Sequence, residues 1–176
     1  MMWTGSRIVM GALVVAAVLA PLPAGGQALR VGQAAPEITG ERWINSAPLA
    51  MRGLRGRVVA VEFWTYGCYN CRNVIPRLRD WHGRFERSGL TIVGVHSPEF
   101  TWEQPYDKVA EAARALDVRY PVVQDNDFAI WKRYGVRAWP TLVLVDRKGV
   151  VRYRHIGEGA YEETERMIRL LLAEGA

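Results

Sequence analysis

A chain of 176 residues in which 49% of side chains are apolar and 23% charged has material for one sizeable core and is too hydrophobic to be a disordered segment. Its net charge of +5 comes from scattered basic residues (Arg52, Arg55, Arg57, Arg77, Arg79, Arg84 and Arg87). They form no dense run, so they read as a solvated face and not as a nucleic-acid site.

Residues 1–28 stand apart from the globule. Arg7 precedes the uncharged run 8–20, Pro21 and Pro23 break it, and Gly26-Gln27-Ala28 follows at a cleavage position, the layout of a secretory signal. The run is shorter than the ~20 residues of a membrane span, which favours cleavage over an uncleaved anchor. No cysteine follows it, which excludes a lipoprotein anchor. The expected organisation is a signal over 1–28 and one domain over 29–176, acting in the periplasm or another extracytoplasmic space.

Within that domain, residues 38–49 carry turn formers (Gly40, Asn45, Ser46, Pro48) around Trp43 and Ile44 and predict a short hairpin. Residues 51–56 read as a single turn. Residues 58–64 (VVAVEFW) form a near-continuous apolar strand, as expected for a strand covered on both faces. A helical pattern begins at Cys68, with Val74, Ile75, Leu78, Trp81 and Phe85 inward; Pro76 inside it predicts a kink. Residues 90–95 form the next strand, ending at His96. A helix over 107–116, a strand over 120–124 and a helix over 127–134 follow. A strand at 141–145, a turn at 146–149, an antiparallel partner over 150–155 and a helix over 161–172 close the chain. The alternation predicts an α/β domain: a mixed sheet with helices on both faces and active groups at the C-terminal strand ends.

The two cysteines, Cys68 and Cys71, bracket Tyr69-Asn70 at a helix start. A bridge closing so small a loop adds roughly 2 kcal/mol in the chain-entropy model, so the spacing suits redox chemistry better than stapling. The N–H groups and dipole of the first turn favour a thiolate at Cys68; Cys71, one turn further in, is placed to resolve a mixed disulfide. Glu62 is the single charge in the strand over 58–64. It reads either as a buried carboxyl of raised pKa that exchanges a proton with Cys71, or as an edge residue paired with an arginine. On residue chemistry alone Trp139-Pro140 is an ordinary trans loop; a cis bond would present the Trp139 backbone for strand-like pairing. Tyr66 and Tyr69 flank the cysteines. His82 is expected at or near the surface, His96 exposed at its strand end, and Phe128, Trp131 and Tyr134 in the core.

FWTYGCYNC, with Glu62 six residues before the first cysteine, Pro76 five after the second and Trp139-Pro140 before a strand, resembles the thioredoxin superfamily. LTIVGVHSPEF, DNDFAIWKRYGV and GEGAYEETE are similar to its TlpA-like, redoxin-type branch, above all to the soluble domain of DipZ-type membrane reductases. The resemblance spans about residues 31–172. It implies a thioredoxin-like fold with a helix–strand insertion before a cis Pro140, a redox-active Cys68–Cys71 disulfide with Cys68 attacking and Cys71 resolving, and Glu62 as proton shuttle. Trp64, Tyr66, Tyr69 and Trp139 become expected client contacts. The implied function is an exported thiol–disulfide oxidoreductase that reduces protein disulfides, in cytochrome c maturation or disulfide repair, with no cofactor and no metal. Its partners would be protein thiols and disulfides and a separate membrane electron donor of the DipZ or CcdA type. Tyr69-Asn70 in place of thioredoxin's Gly-Pro leaves the potential unassigned. Two alternatives stand beside this. A thiol peroxidase of the redoxin type would use Thr65, three residues before Cys68, although Val61 stands where its proline is expected. A metal-binding chaperone would use Cys68, Cys71 and His96.

Overall fold

Strand β2 (Val58–Trp64) is buried along its whole length, and the sheet is built outward from it. In the computed structural model, which describes Met1, Met2 and residues 29–175, β2 pairs in parallel with β3 (Leu90–His96) and antiparallel with β5 (Thr141–Val145). Beyond β3 lie β4 (Val122–Gln124), parallel to it, and then β1 (Trp43–Ile44), antiparallel to β4. Beyond β5 lies its antiparallel hairpin partner β6 (Val151–Ile156). The order is β1-β4-β3-β2-β5-β6. The rest of the segment expected to direct export lies outside the described residues, and among those described no helix is long and apolar enough to cross a membrane.

Because successive side chains of a strand point to opposite faces, β2 feeds two cores. Val58, Ala60 and Trp64 meet α1 (Tyr69–Phe85), α2 (Tyr106–Ala115) and α4 (Tyr161–Ala173) through Leu78, Trp81, Val109 and Ile168. Val59, Val61 and Phe63 meet Ile130 of α3 (Ala129–Arg133), Tyr134 and the N-terminal residues Leu29, Ile38 and Met51. Helices therefore cover both faces of a mixed sheet, as the alternation requires. The helix assignment of α1 runs unbroken through Pro76, although a proline removes one backbone bond there. Several arginines of the basic face are paired, Arg79 with Asp117 and Arg84 with Asp80 and Glu165.

Two expectations are corrected. Residues 38–49 form no hairpin: Trp43–Ile44 is a single short strand whose partner is β4. The turn formers serve that distant pairing. Asn45, at φ +67°, donates its Nδ2 to the carbonyls of Val118 (2.8 Å) and Tyr120 (3.1 Å), and a Cβ at Gly40 would overlap the Val123 side chain. The strand expected over 120–124 begins at Val122. Pro121 cannot donate to a ladder but still accepts from Gly94 N at 2.9 Å, and Tyr120 is left outside the strand with its ring in the α1 core.

Candidate active site

The C-terminal end of β2 and the N-terminal end of β5 lie side by side, with Phe63 opposite Thr141. That register brings the loop after Trp64 and the loop ending in Pro140 to one end of the sheet. Cys68 is the N-cap of α1, extended at φ −73° and ψ 118°. Its Sγ accepts the Cys71 N–H at 3.2 Å, and its carbonyl accepts from Arg72 N. A sulfur at this position takes the place of the usual capping oxygen, where the unsatisfied N–H groups of the first turn stabilise negative charge. Cys68 is half-buried, Cys71 is 1% exposed, and both are free thiols. Burial raises the Cys71 thiol strongly; its contacts with Cys68 and the charge of Glu62 push it the same way.

Glu62 points to the α1 side of the sheet, between Ala60 and Trp64, and is 1% exposed. Burial lifts its carboxyl to about 8, and Oε2 has no hydrogen-bond partner among the described residues. No arginine reaches it there, so of the two sequence readings the buried carboxyl is the one the geometry carries.

The loop between Trp64 and Cys68 is held from outside by a residue that sequence reasoning missed. Glu103 is 0% exposed; its Oε1 accepts from Gly67 N (2.9 Å) and its Oε2 from Glu99 N (2.6 Å) and Phe100 N (2.9 Å). The missing signal was topological: Glu103 lies in a 3-10 turn, Thr101–Glu103, 36 residues from Gly67. Tyr66 joins the same clasp by donating its hydroxyl to the Trp102 carbonyl at 2.8 Å. A Cβ on Gly67 would overlap Glu103 Oε1 and stand 2.6 Å from Trp102 Cη2. Gly67→Ala is therefore expected to destabilise the fold by roughly 1–3 kcal/mol and to slow alkylation of Cys68, measured by denaturant melts and iodoacetamide kinetics. Wild-type values for both would show that the Glu103 arm swings freely.

The remaining site residues fall into two groups. Tyr69 is 76% exposed, Tyr66 stacks on His96 with centroids 5.6 Å apart, and exposed Phe100 and Trp102 stack beside Tyr66. Trp139 is half-buried; its Nε1 donates to the Ser97 carbonyl at 3.0 Å, its ring leans on Trp131, and its bond to Pro140 is cis. Trp64 does not join them. At 1% exposure its indole is core, because strand alternation turns it towards Cys71, and it offers no surface to a client. His96 is likewise corrected from exposed to fully buried: Tyr66 covers it, its Nε2 lies 3.3 Å from Thr65 Oγ1, and burial drops it to about 4. Among the described residues, no three His, Cys, Asp or Glu side chains cluster to hold a metal ion.

DipZ of Mycobacterium tuberculosis is 40% identical over 142 residues, 78% of this chain but 20% of that protein, so the chain spans about a fifth of its DipZ relatives. The thiol-disulfide oxidoreductase ResA of Halalkalibacterium halodurans is 25% identical over 128 residues, 72% of this chain and 69% of that one. The crystal structure of a thiol-disulfide isomerase from Corynebacterium glutamicum superposes with a TM-score of 0.71 at 25% identity, covering 80% of this chain and 97% of that one. With the sheet order, the N-capping cysteine and a match over residues 31–154 all in agreement, the chain belongs to the AhpC/TSA family and carries it on a thioredoxin-like fold.

Proposed function

We propose that the protein is an exported thiol–disulfide oxidoreductase that reduces disulfides of client proteins. One arrangement carries this reading: a half-exposed N-cap sulfur, a buried sulfur one turn below, and a buried carboxyl beneath both. The Cys68 thiolate attacks one sulfur of the client disulfide, forming the Cys68–client bond and releasing the other client sulfur as a thiolate. The Cys71 thiol passes its proton to Glu62 in the minority of molecules whose carboxyl is ionised near neutral pH, and the Cys71 sulfur then attacks Cys68. The client's second thiolate leaves, and two electrons have moved from protein to client. A carboxyl lifted to about 8 is matched to a proton acceptor working near neutral pH. Tyr66, Tyr69 and Trp139 line the approach, with Pro140 behind Trp139. Export rests on the apolar run over 8–20, and the reducing direction implies a membrane electron donor that restores the dithiol.

A peroxidase would need the Thr65 hydroxyl turned to the reactive sulfur. Thr65 is buried and faces His96 instead, which favours disulfide exchange.

The test is insulin reduction by the purified protein, together with the midpoint potential of the Cys68–Cys71 couple in dithiothreitol buffers. Catalysis with a potential near ~−270 mV is expected; a value near ~−120 mV would make the protein an oxidant and overturn the direction. No catalysis of exchange at all would overturn the function.

A further inference from the structure

Among the described residues from Leu29 onward, six large apolar side chains are exposed: Val31, Tyr69, Phe100, Trp102, Ile156 and Leu170. Single exposed hydrophobic residues are ordinary, but a cluster of them marks a contact surface. Val31 and Leu170 lie at the far end of the sheet, where Gly32 N donates to the Val151 carbonyl and Arg147 to the Leu172 carbonyl. The other four ring the mouth of the site. Tyr69 follows Cys68, and Ile156 is the register partner of Thr141, next to Pro140. Phe100 and Trp102 belong to the loop after β3 and lean over the residue before Cys68: a Cβ on Gly67 would stand 2.6 Å from Trp102 Cη2.

The last pair is fixed in place. Phe100 and Trp102 stack nearly parallel, at 8° with centroids 5.7 Å apart, and Trp102 meets Tyr66 edge-on at 5.4 Å. Their backbone is tied at three points: Glu103 accepts from Phe100 N and Gly67 N, Tyr66 donates to the Trp102 carbonyl, and the Gln104 carbonyl accepts from Asn126 Nδ2 at 3.1 Å. The two rings nevertheless stay 50% and 54% exposed. A tied loop that displays aromatic faces beside a nucleophile loses little conformational freedom when a partner lands on it. The Glu103 carboxylate beneath is fully buried and already accepts three N–H groups, so it lends the surface no free charge.

We propose that Phe100 and Trp102 are specificity-determining residues: they form a platform for an aromatic or large aliphatic side chain of the client, within about three residues of the cysteine under attack. The proposal deepens the reading of Cys68 as nucleophile toward protein disulfides and rests on it. The span follows from reach. Trp102 packs on Gly67, one residue from Cys68, and an extended client advances about 3.3 Å per residue. Ile156 and Tyr69 border the same mouth, so the bound segment meets apolar surface on more than one side of its cysteine. Side chains of this kind are mostly buried in folded proteins. The platform therefore selects disulfides in extended, incompletely folded segments over those on finished surfaces.

The experiment follows mixed-disulfide formation by stopped flow. The substrates are peptide disulfides that differ only in Phe or Ser two residues from the cysteine, on either side in turn, and bis(2-hydroxyethyl) disulfide, which is too small to reach the platform. For at least one placement the wild type should capture the Phe peptide roughly tenfold faster below saturation, through a lower half-saturating concentration and an unchanged limiting rate. Trp102→Ala and Phe100→Ala should lose that preference, reduce the small disulfide at the wild-type rate and keep the midpoint potential; Trp102→Phe should retain most of the preference. A preference that survives in Phe100→Ala, or slowing of the small disulfide in both alanine variants, would overturn the proposal, the second by marking a disturbed Cys68 loop. Equal wild-type rates for Phe and Ser peptides in both placements would remove the platform and leave the Cys68 reading standing. No capture of any disulfide would remove both. Faster capture of an Arg peptide than of the Phe peptide would mean that exposed Glu99 and the ring faces hold a cation, against an apolar platform. A dimer that dissociates in Trp102→Ala would give the surface to a second copy and overturn the client assignment.

Discussion

Cys68→Ser is expected to reduce the rate of client disulfide reduction by at least about a thousandfold, the scale of removing a covalent nucleophile, whereas Cys71→Ser should complete the first step and stop. The asymmetry comes from one helical turn. Cys68 sits outside the first helical residue, half-exposed, with the Cys71 N–H directed at its sulfur. Cys71 is 1% exposed, and its thiol is pushed up by burial, by Cys68 and by Glu62, so at neutral pH it is neither reachable nor a thiolate. Serine at 68 leaves Cys71 unable to begin the reaction. Serine at 71 leaves the attack intact and removes the sulfur that would release the client. Non-reducing gels and mass spectrometry after mixing with a disulfide client should show an adduct on Cys68 in Cys71→Ser and none in Cys68→Ser. An adduct on Cys71 in the Cys68→Ser protein would reverse the roles and sink the assignment.

The parts of the fold that could be read in the sequence were those whose signal is local. β2 and β5 fall at 58–64 and 141–145 because strands covered on both faces have to be almost wholly apolar, and α1 shows its buried stripe at three- and four-residue steps. The hairpin expected over 38–49 failed for the complementary reason. Gly40 and Asn45 are turn residues by type, but their turn is set by Val123, Val118 and Tyr120, which lie some 75 positions away and leave no mark nearby.

The site divides in the same way. The places of the two cysteines, Cys68 capping the helix and Cys71 buried one turn below, were legible because N-cap and first-turn positions follow from a three-residue spacing. The fate of Glu62 was not: a lone acid in an apolar strand reads equally as buried or as paired, and only the α1 helix over it decides. His96 looked exposed because strand ends usually are; Tyr66 closing over it, and Thr65 beside it, depend on how the loop folds back. Glu103 gave no signal of its reach to Gly67: its bonds to Glu99 N and Phe100 N lie within its own turn, but the bond to Gly67 N, 36 residues away, is a property of two loops meeting. The resemblance to thioredoxins supplied a cis Pro140, which residue chemistry alone disfavoured, but it misplaced Trp64. That tryptophan marks the site from beneath and does not form its surface.

Glu62→Gln should change how stability depends on pH more than any other single substitution at the site. The native carboxyl holds its proton up to about 8, against 4.5 for the free group. Between those values the folded state binds the proton and the unfolded state does not, so stability falls as pH rises, by about 3 kcal/mol at pH 7. His96 acts with the opposite sign. Held at about 4 against 6.5, it stays neutral in the fold where the unfolded chain takes up a proton, so stability falls as pH drops from 6.5 towards 4. In the wild type the two slopes oppose each other below pH 6.5, and the Glu62 loss stands alone from there to pH 8. In Glu62→Gln the alkaline loss should vanish while the acid loss remains. The difference between the two proteins, measured by urea melts at steps from pH 4.5 to 8.5, should grow towards about 3 kcal/mol at pH 7 and level off above 8. Any fixed offset from accommodating the amide drops out of that slope, as do all other titrating groups the two proteins share. Parallel curves would mean that Glu62 ionises normally in the fold. On the proposed role of Glu62 as acceptor of the Cys71 proton, stability and chemistry make opposite demands on one carboxyl: the glutamine that removes the alkaline loss also removes that acceptor, so the variant freed of the alkaline loss should resolve its mixed disulfides more slowly.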